Sequence, residues 1–166
     1  MDNHRRVELR KRGQRPVSDR ADQSEGKLLE KRALPVTSTA MITGIGVDVV
    51  QNERIRESIQ KFGDRFLNRI YTEREKEYCE NSANPAIHFA ARWAAKEAAF
   101  KALGTGWALG VKWKDVEVER LSSGKPELIL HGQALNLAKT AGANHYFVSL
   151  THDHMISCAV VIFEST

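Results

Sequence analysis

Cysteine is scarce in this chain: Cys79 and Cys158 are the two present in 166 residues, far apart and outside any C-x-x-C spacing. That excludes a disulfide framework and the cysteine-paired zinc sites. A reducing, intracellular setting follows, and we expect a cytosolic protein. No apolar run approaches the length of a membrane span or of a signal-peptide core, so no membrane role is expected. There is no Gly-x-x-x-x-Gly-Lys-Ser/Thr loop, and Gly44-x-Gly46 lacks the rest of a dinucleotide fingerprint, which removes support for a P-loop or Rossmann nucleotide site. Internal repeats and low-complexity tracts are also missing. The histidines His4, His88, His131, His145 and His154 show no metal-ligand spacing.

What is present suits one soluble globular domain, with 42% apolar and 28% charged residues. The net charge of +4 is unevenly placed: residues 1–40 hold ten Lys/Arg against six Asp/Glu, while residues 41–166 hold fifteen of each. The leading segment has few large apolar residues and is broken at Gly13, Pro16, Gly26 and Pro35. It cannot bury enough surface to offset the entropy of ordering, so a basic, disordered extension is expected over 1–40. Its interspersed acids favour a solvated tail over a nucleic-acid arm. Periodic structure begins at Met41, a candidate natural start.

Alternation over residues 41–50 predicts a strand that puts Asp48 on one face with Gly44 and Gly46, leaving room there for a ligand or a second backbone. Asn52 is expected to cap the next helix and Gly63 to end it. Thr72-Glu73-Arg74-Glu75 is a capping box opening a short helix toward Cys79. Asn84, Pro85 and Gly104 bracket a central helix. Residues 116–120 and 127–131 predict a hairpin, residues 133–141 a helix stopped at Gly142, and residues 146–152 and 156–163 a second hairpin. This mixture predicts an α+β domain with a small, mostly antiparallel sheet and helices packed on one face.

The central helix is apolar on two sides. Phe89, Trp93, Phe100 and Leu103 fall opposite Ile87, Ala91, Ala94, Ala95, Ala98 and Ala102, so the helix is expected to be sandwiched. Lys96, Glu97 and Lys101 are charges placed on it, and such charges need a partner or a charged ligand. Each has an ordinary reading: Glu97 with Lys101 as a helical pair, Asp48 as a turn cap, His152 as a hairpin-end residue. Taken together, two carboxylates from different elements with lysines beside them are what Mg²⁺ and a phosphate ester require.

Four stretches in order resemble one family: Gly44-Ile45-Gly46-Val47-Asp48 with Arg54-Ile55, Trp93-x-x-Lys96-Glu97-Ala98-x-x-Lys101-Ala102-x-Gly104, Gly124-Lys125-Pro126, and Ser149-Leu150-Thr151-His152. This set is similar to the 4′-phosphopantetheinyl transferases of the holo-[acyl-carrier-protein] synthase type. The resemblance implies Mg²⁺-dependent transfer of phosphopantetheine from coenzyme A to a serine of acyl carrier protein, in fatty acid biosynthesis, with release of adenosine 3′,5′-bisphosphate. It implies Asp48 and Glu97 as metal ligands and Lys96 and Lys101 as catalytic residues that neutralise phosphate. Lys125 would lie near the coenzyme's 3′-phosphate and His152 near the coenzyme, while the proton acceptor is left open between Glu97 and a metal-bound water. The family is also similar in forming trimers with the site at subunit junctions, and in docking the acidic carrier on a basic first helical region.

Six Lys/Arg against three Asp/Glu between Arg54 and Arg74 form such a basic patch. Arg54, Arg65 and Arg69, with Phe66 and Ile70 as apolar neighbours, are the carrier-contact candidates, against an ordinary solvated face. Two other functions fit the residues alone. A Mg²⁺-dependent phosphohydrolase would use Asp48 and Glu97 without a protein acceptor, and a trimeric interaction module would bind an acidic partner through Arg54 to Arg74.

Overall fold

Small residues on one face of the first strand decide how closely the central helix can approach the sheet. The computed structural model describes residues 39–106 and 109–166. The extension expected over 1–40 therefore falls, up to residue 38, outside the described residues. Strand β1 (Met41–Gln51) pairs antiparallel with β5 (Ile156–Ser165), and β5 pairs with β4 (His145–His152), giving the order β1-β5-β4. A second sheet is the hairpin of β2 (Val116–Arg120) and β3 (Pro126–Leu130). The architecture is α+β with antiparallel pairing throughout the described strands, divided into two sheets.

Among the described residues are five α-helices, α1 (Asn52–Phe62), α2 (Asp64–Ile70), α3 (Glu73–Glu80), α4 (Pro85–Ala102) and α5 (Gly132–Thr140), and one 3-10 turn at Trp113–Asp115. The Thr72 capping box forms as its spacing predicts, with the hydroxyl accepting from the Glu75 N–H and the Glu75 carboxylate accepting from the Thr72 N–H. Gly104 at φ +70 and Gly142 at φ +81 end α4 and α5 in the left-handed region open to glycine.

Asn52 differs from its expected role. Gln51 takes the cap position, and Asn52 is buried as the first helical residue. Its amide donates to the Asp153 carbonyl at 2.9 Å, and its oxygen accepts from Ser157 Oγ at 2.7 Å. The side chain is spent on joining the end of β1 to the β4–β5 turn, because both partners are close in space though remote in sequence.

Helix α4 is sandwiched, as its two apolar sides predict. Its alanine side lies on β1 and β5 at backbone contact distance: a Cβ built on Gly46 would sit 1.9 Å from the Ala98 carbonyl oxygen, and one on Gly44 2.3 Å from that of Ala102. The second backbone that these glycines admit is therefore the central helix. Its other side enters an aromatic cluster, with Trp93 stacked on Phe66 at 5.8 Å and tilted against Trp113 at 4.4 Å, and Phe100 edge-on to Trp113 at 5.1 Å. Such pairs add about 0.5–1.5 kcal/mol each beyond the area they bury.

Among the described residues, nothing covers the opposite face of the three-stranded sheet in this way. Ile45, Val47 and Val49 on β1, Ile156 and Val160 on β5, and Phe147 on β4 are all exposed there. Among the described residues, no helix is long and apolar enough to cross a membrane.

Candidate active site

The glycine-mediated contact between β1 and α4 brings two carboxylates together. Asp48 projects from the helix-facing side of β1, and Glu97 from the flank of α4. Burial pushes the Glu97 carboxyl above its ordinary range, and the Asp48 charge pushes it the same way, against the opposing pull of Lys101 and Arg54. Lys101 is not the helical partner of Glu97 by hydrogen bond. Its Nζ instead donates to Asp48 Oδ1 at 2.9 Å and to the Val47 carbonyl at 2.8 Å. One ammonium thus serves two mutually repelling carboxylates, and the repulsion that remains is what a divalent cation would remove.

The donor chemistry fits Mg²⁺. Both groups are hard oxygen ligands from different elements, and among the described residues no cluster of three or more His, Cys, Asp or Glu offers a closed cage. Magnesium suits a pair of acids because it keeps waters and takes phosphate oxygens.

A second group of expected residues lies elsewhere. His152 ends β4, Lys125 sits exposed in the β2–β3 turn, and Gly124 and Pro126 flank it. His152, Gly124 and Pro126 line a cleft of about 300 Å³ with Tyr78, His88, Arg92 and Arg120, continuous in its lining with a larger one of about 770 Å³ that adds Arg74 and Asn81. The turn needs Gly124, which stands at φ +87.

Sequence reasoning missed the arginines of this cleft, which outnumber its acids: Arg92 and Arg120 stand with Glu119 in the smaller part, and Arg74 with Glu77 joins them in the larger. The Arg92 guanidinium lies 4.2 Å over the Tyr78 ring, and Arg120 Nη1 donates to the Tyr78 hydroxyl at 3.4 Å. His88 packs edge-on against both Tyr78 and His152, at 5.5 and 5.3 Å. Burial holds the His88 imidazole below its ordinary range, and His152, Arg92 and Arg120 add to that depression. Arg92 is itself buried, and its Nε has no hydrogen-bond partner among the described residues. A ligand bringing negative charge would satisfy these groups. The available sequence signal was His88 and Arg92 at i,i+4 in the otherwise apolar first half of the helix.

Three expected assignments need correcting. Lys96 does not face either group: it is fully buried and paired with Glu75 at 2.9 Å, so it is not placed to meet a phosphate. Ile70 is buried in the core and closed to a carrier, and Phe66 is half-buried against Trp93 and Tyr71, so it offers only part of its ring. Helical spacing could not distinguish the inward from the outward side of a seven-residue helix. Arg54, Arg65 and Arg69 are exposed, and Arg54 lies close enough to Glu97 to act on its charge.

The two groups are separated by the central helix. Asp48 and Leu150 both pair with Ala159, and Val50 and His152 both pair with Ser157, so Asp48 and His152 occupy neighbouring rungs on opposite edges of the sheet. With strands about 4.8 Å apart, those edges lie roughly 10 Å from one another. Both side chains point to the face that α4 covers. A single chain therefore presents an acid pair on one flank of α4 and a basic cleft on the other.

Comparison with known proteins places these residues in a family. The family model described as the 4′-phosphopantetheinyl transferase superfamily matches residues 44–159. A protein of Solibacter usitatus named holo-[acyl-carrier-protein] synthase is 48% identical over 125 residues, covering 75% of this chain and 100% of its own length. The crystal structure of holo-[acyl-carrier-protein] synthase from Neisseria meningitidis superposes with a TM-score of 0.68 at 34% identity, covering 75% of this chain and 100% of that one. The structure of a holo-(acyl-carrier-protein) synthase from Bacillus anthracis in complex with CoA (3′,5′-ADP) superposes with a TM-score of 0.63 at 33% identity, over 76% and 99% of the two chains.

Proposed function

The chain belongs to the 4′-phosphopantetheinyl transferase superfamily, and from that premise we propose that it transfers phosphopantetheine from coenzyme A to a serine of apo acyl carrier protein. The observation that carries this reading is the pairing of a two-carboxylate site at Asp48 and Glu97 with a cleft lined by Arg92, Arg120, Gly124 and His152. A phosphohydrolase acting on small esters needs the first and has no use for the second.

Asp48 and Glu97 are the residues that would hold Mg²⁺, which when bound supplies positive charge to pyrophosphate oxygens. Lys101 holds Asp48 in place and adds its own charge at the same point. Arg92, Arg120 and His152 receive the nucleotide end of the coenzyme, with Lys125 at the rim for the 3′-phosphate. In the reaction, the carrier serine hydroxyl gives up its proton to a base, the Glu97 carboxylate or a water, as its oxygen bonds to the phosphorus bearing the pantetheine. The bond from that phosphorus to the bridging pyrophosphate oxygen breaks, and adenosine 3′,5′-bisphosphate leaves with the negative charge. Catalysis here consists of orientation and of neutralising that charge. Arg54, Arg65 and Arg69 form the basic surface on which an acidic carrier docks.

The separation of acid pair and basic cleft by α4 supports a further assignment: the working form is a homotrimer whose sites combine the acids of one subunit with the cleft of the next. The uncovered apolar face of β1, β5 and β4 supports the same assembly, since a contiguous apolar sheet face marks an interaction surface. We place the enzyme in the cytoplasm, in fatty acid biosynthesis.

The test is intact mass spectrometry of purified apo acyl carrier protein incubated with the protein, coenzyme A and Mg²⁺, beside a chelated control. A gain of about 340 Da on the carrier, lost with chelator, is the expected covalent product. An unchanged carrier mass across several carriers would overturn the transferase reading.

A further inference from the structure

A charged side chain in the core must satisfy every hydrogen it carries. The Lys96 ammonium has three, and the structure supplies three acceptors: the Glu75 carboxylate at 2.9 Å, the Trp113 carbonyl at 3.2 Å, and the Val116 carbonyl. Glu75 is equally committed. One of its oxygens accepts from the Thr72 N–H at the start of α3, and the other from the Val118 N–H in β2. Neither side chain has any exposed surface. Burial pulls the Lys96 ammonium toward release of its proton, and the Glu75 carboxylate opposes that pull.

From this geometry we infer that Lys96 is a positioning residue, and that with Glu75 it fixes the rotation and height of α4 against α3 and β2 so that its neighbour Glu97 meets Asp48. Successive residues on a helix point about 100° apart. Tying Lys96 inward to α3, to β2 and to the Trp113 carbonyl just before β2 therefore directs Glu97 outward to the β1 side. A buried pair is weak as a source of net stability, and its best use is in specifying one arrangement among several. The acid pair benefits from such a lock because its two members stand on different elements, and a displacement of about 1 Å can cost 10²-fold in rate. The activity readout below rests on the transferase reading; the burial readout does not.

Two experiments test the inference. In the first, Lys96→Met is compared with Glu75→Gln/Lys96→Met, with the parent protein as the control for transfer itself. The single variant leaves an uncompensated buried carboxylate, so kcat should fall by about tenfold or more while KM for coenzyme A stays within about twofold. The double variant removes the unpaired charge but also the lock, so it should regain thermal stability while turnover stays low, and full recovery of turnover would overturn the inference. A folded double variant with KM for coenzyme A raised about tenfold would show a direct phosphate contact and overturn it as well.

In the second, the unmodified protein is reductively methylated with and without coenzyme A and read by peptide mass spectrometry. This keeps the question answerable if the variants fail to fold. Lys96 should react about 100-fold more slowly than the exposed Lys125 in both conditions, because its reaction requires opening of the core. Labelling of Lys96 at a surface rate, suppressed by coenzyme A, would refute it. A parent without transfer activity would sink the transferase reading while leaving the labelling result to decide the position of Lys96.

Discussion

Asp48 and Glu97 carry like charges on two backbones that glycine allows to touch, and Lys101 balances one of them. Replacing either acid by alanine removes repulsion as well as a ligand, so the fold should survive. We expect Asp48→Ala and Glu97→Ala each to lower Mg²⁺-dependent transfer by about 10²-fold or more, with unchanged circular dichroism. Near-normal turnover in either variant would remove the metal assignment. On the proposed docking surface, Arg65 is exposed and away from the acid pair's hydrogen bonds. Arg65→Glu should raise the KM for carrier about tenfold while leaving that for coenzyme A unchanged, since a reversed rim charge acts on encounter with one partner. Equal effects on both substrates would rule out this face as the carrier contact.

At the scale of elements, the contact of β1 with α4 is the least forgiving part of the fold. A methyl group at Gly46 would meet backbone atoms of Ala98 and Ala102, which cannot turn aside as a side chain can. Gly46→Ala should therefore cost about 3 kcal/mol, visible as a large drop in thermal midpoint, and an unchanged midpoint would mean that the helix stands further off. The hairpin is anchored differently. Burial raises the Glu117 carboxyl, but bonds from His131 at 2.8 Å and Thr72 at 2.9 Å outweigh it and hold the group below its ordinary range. A carboxylate lowered in the folded state contributes stability above its unfolded pKa and loses it as pH falls through the folded value. The thermal-midpoint difference between the protein and Glu117→Gln should accordingly be full above about pH 4.5 and shrink on further acidification. A difference independent of pH across that range would show that the ionised form makes no contribution.

For the whole molecule, the outer sheet face carries the consequence. Val47 is 52% exposed on the edge strand β1, between Ile45 and Val49 and opposite Val160 of the central strand. Val47→Lys places a charge where a partner would have to desolvate it, while a lone domain would tolerate it on an open surface. If the proposed trimer forms through this face, light scattering should show its dissociation, with transfer lost and the thermal transition of each chain retained. A variant that stays assembled and active would mean that this face is not the junction.

Much of this was legible in the sequence because it depends on near neighbours. The Thr72 box, the breaks at Gly104 and Gly142, the alternation of β1 and the two apolar sides of α4 are local patterns, and the ordered motifs carried Asp48, Glu97, Lys101 and His152 to their elements. Tertiary structure decided the relations that spacing cannot encode. It turned Ile70 inward and stacked Phe66 on Trp93, gave Lys96 to Glu75 and Lys101 to Asp48, and sent Asn52 across to the β4–β5 turn. It also gathered Arg92 and Arg120 around Tyr78, and set the acids and the cleft on opposite flanks of one helix. The reason is physical: a helical or strand period fixes the direction of a side chain relative to its own element, whereas its partner is whichever group the packing of remote elements brings within bonding distance.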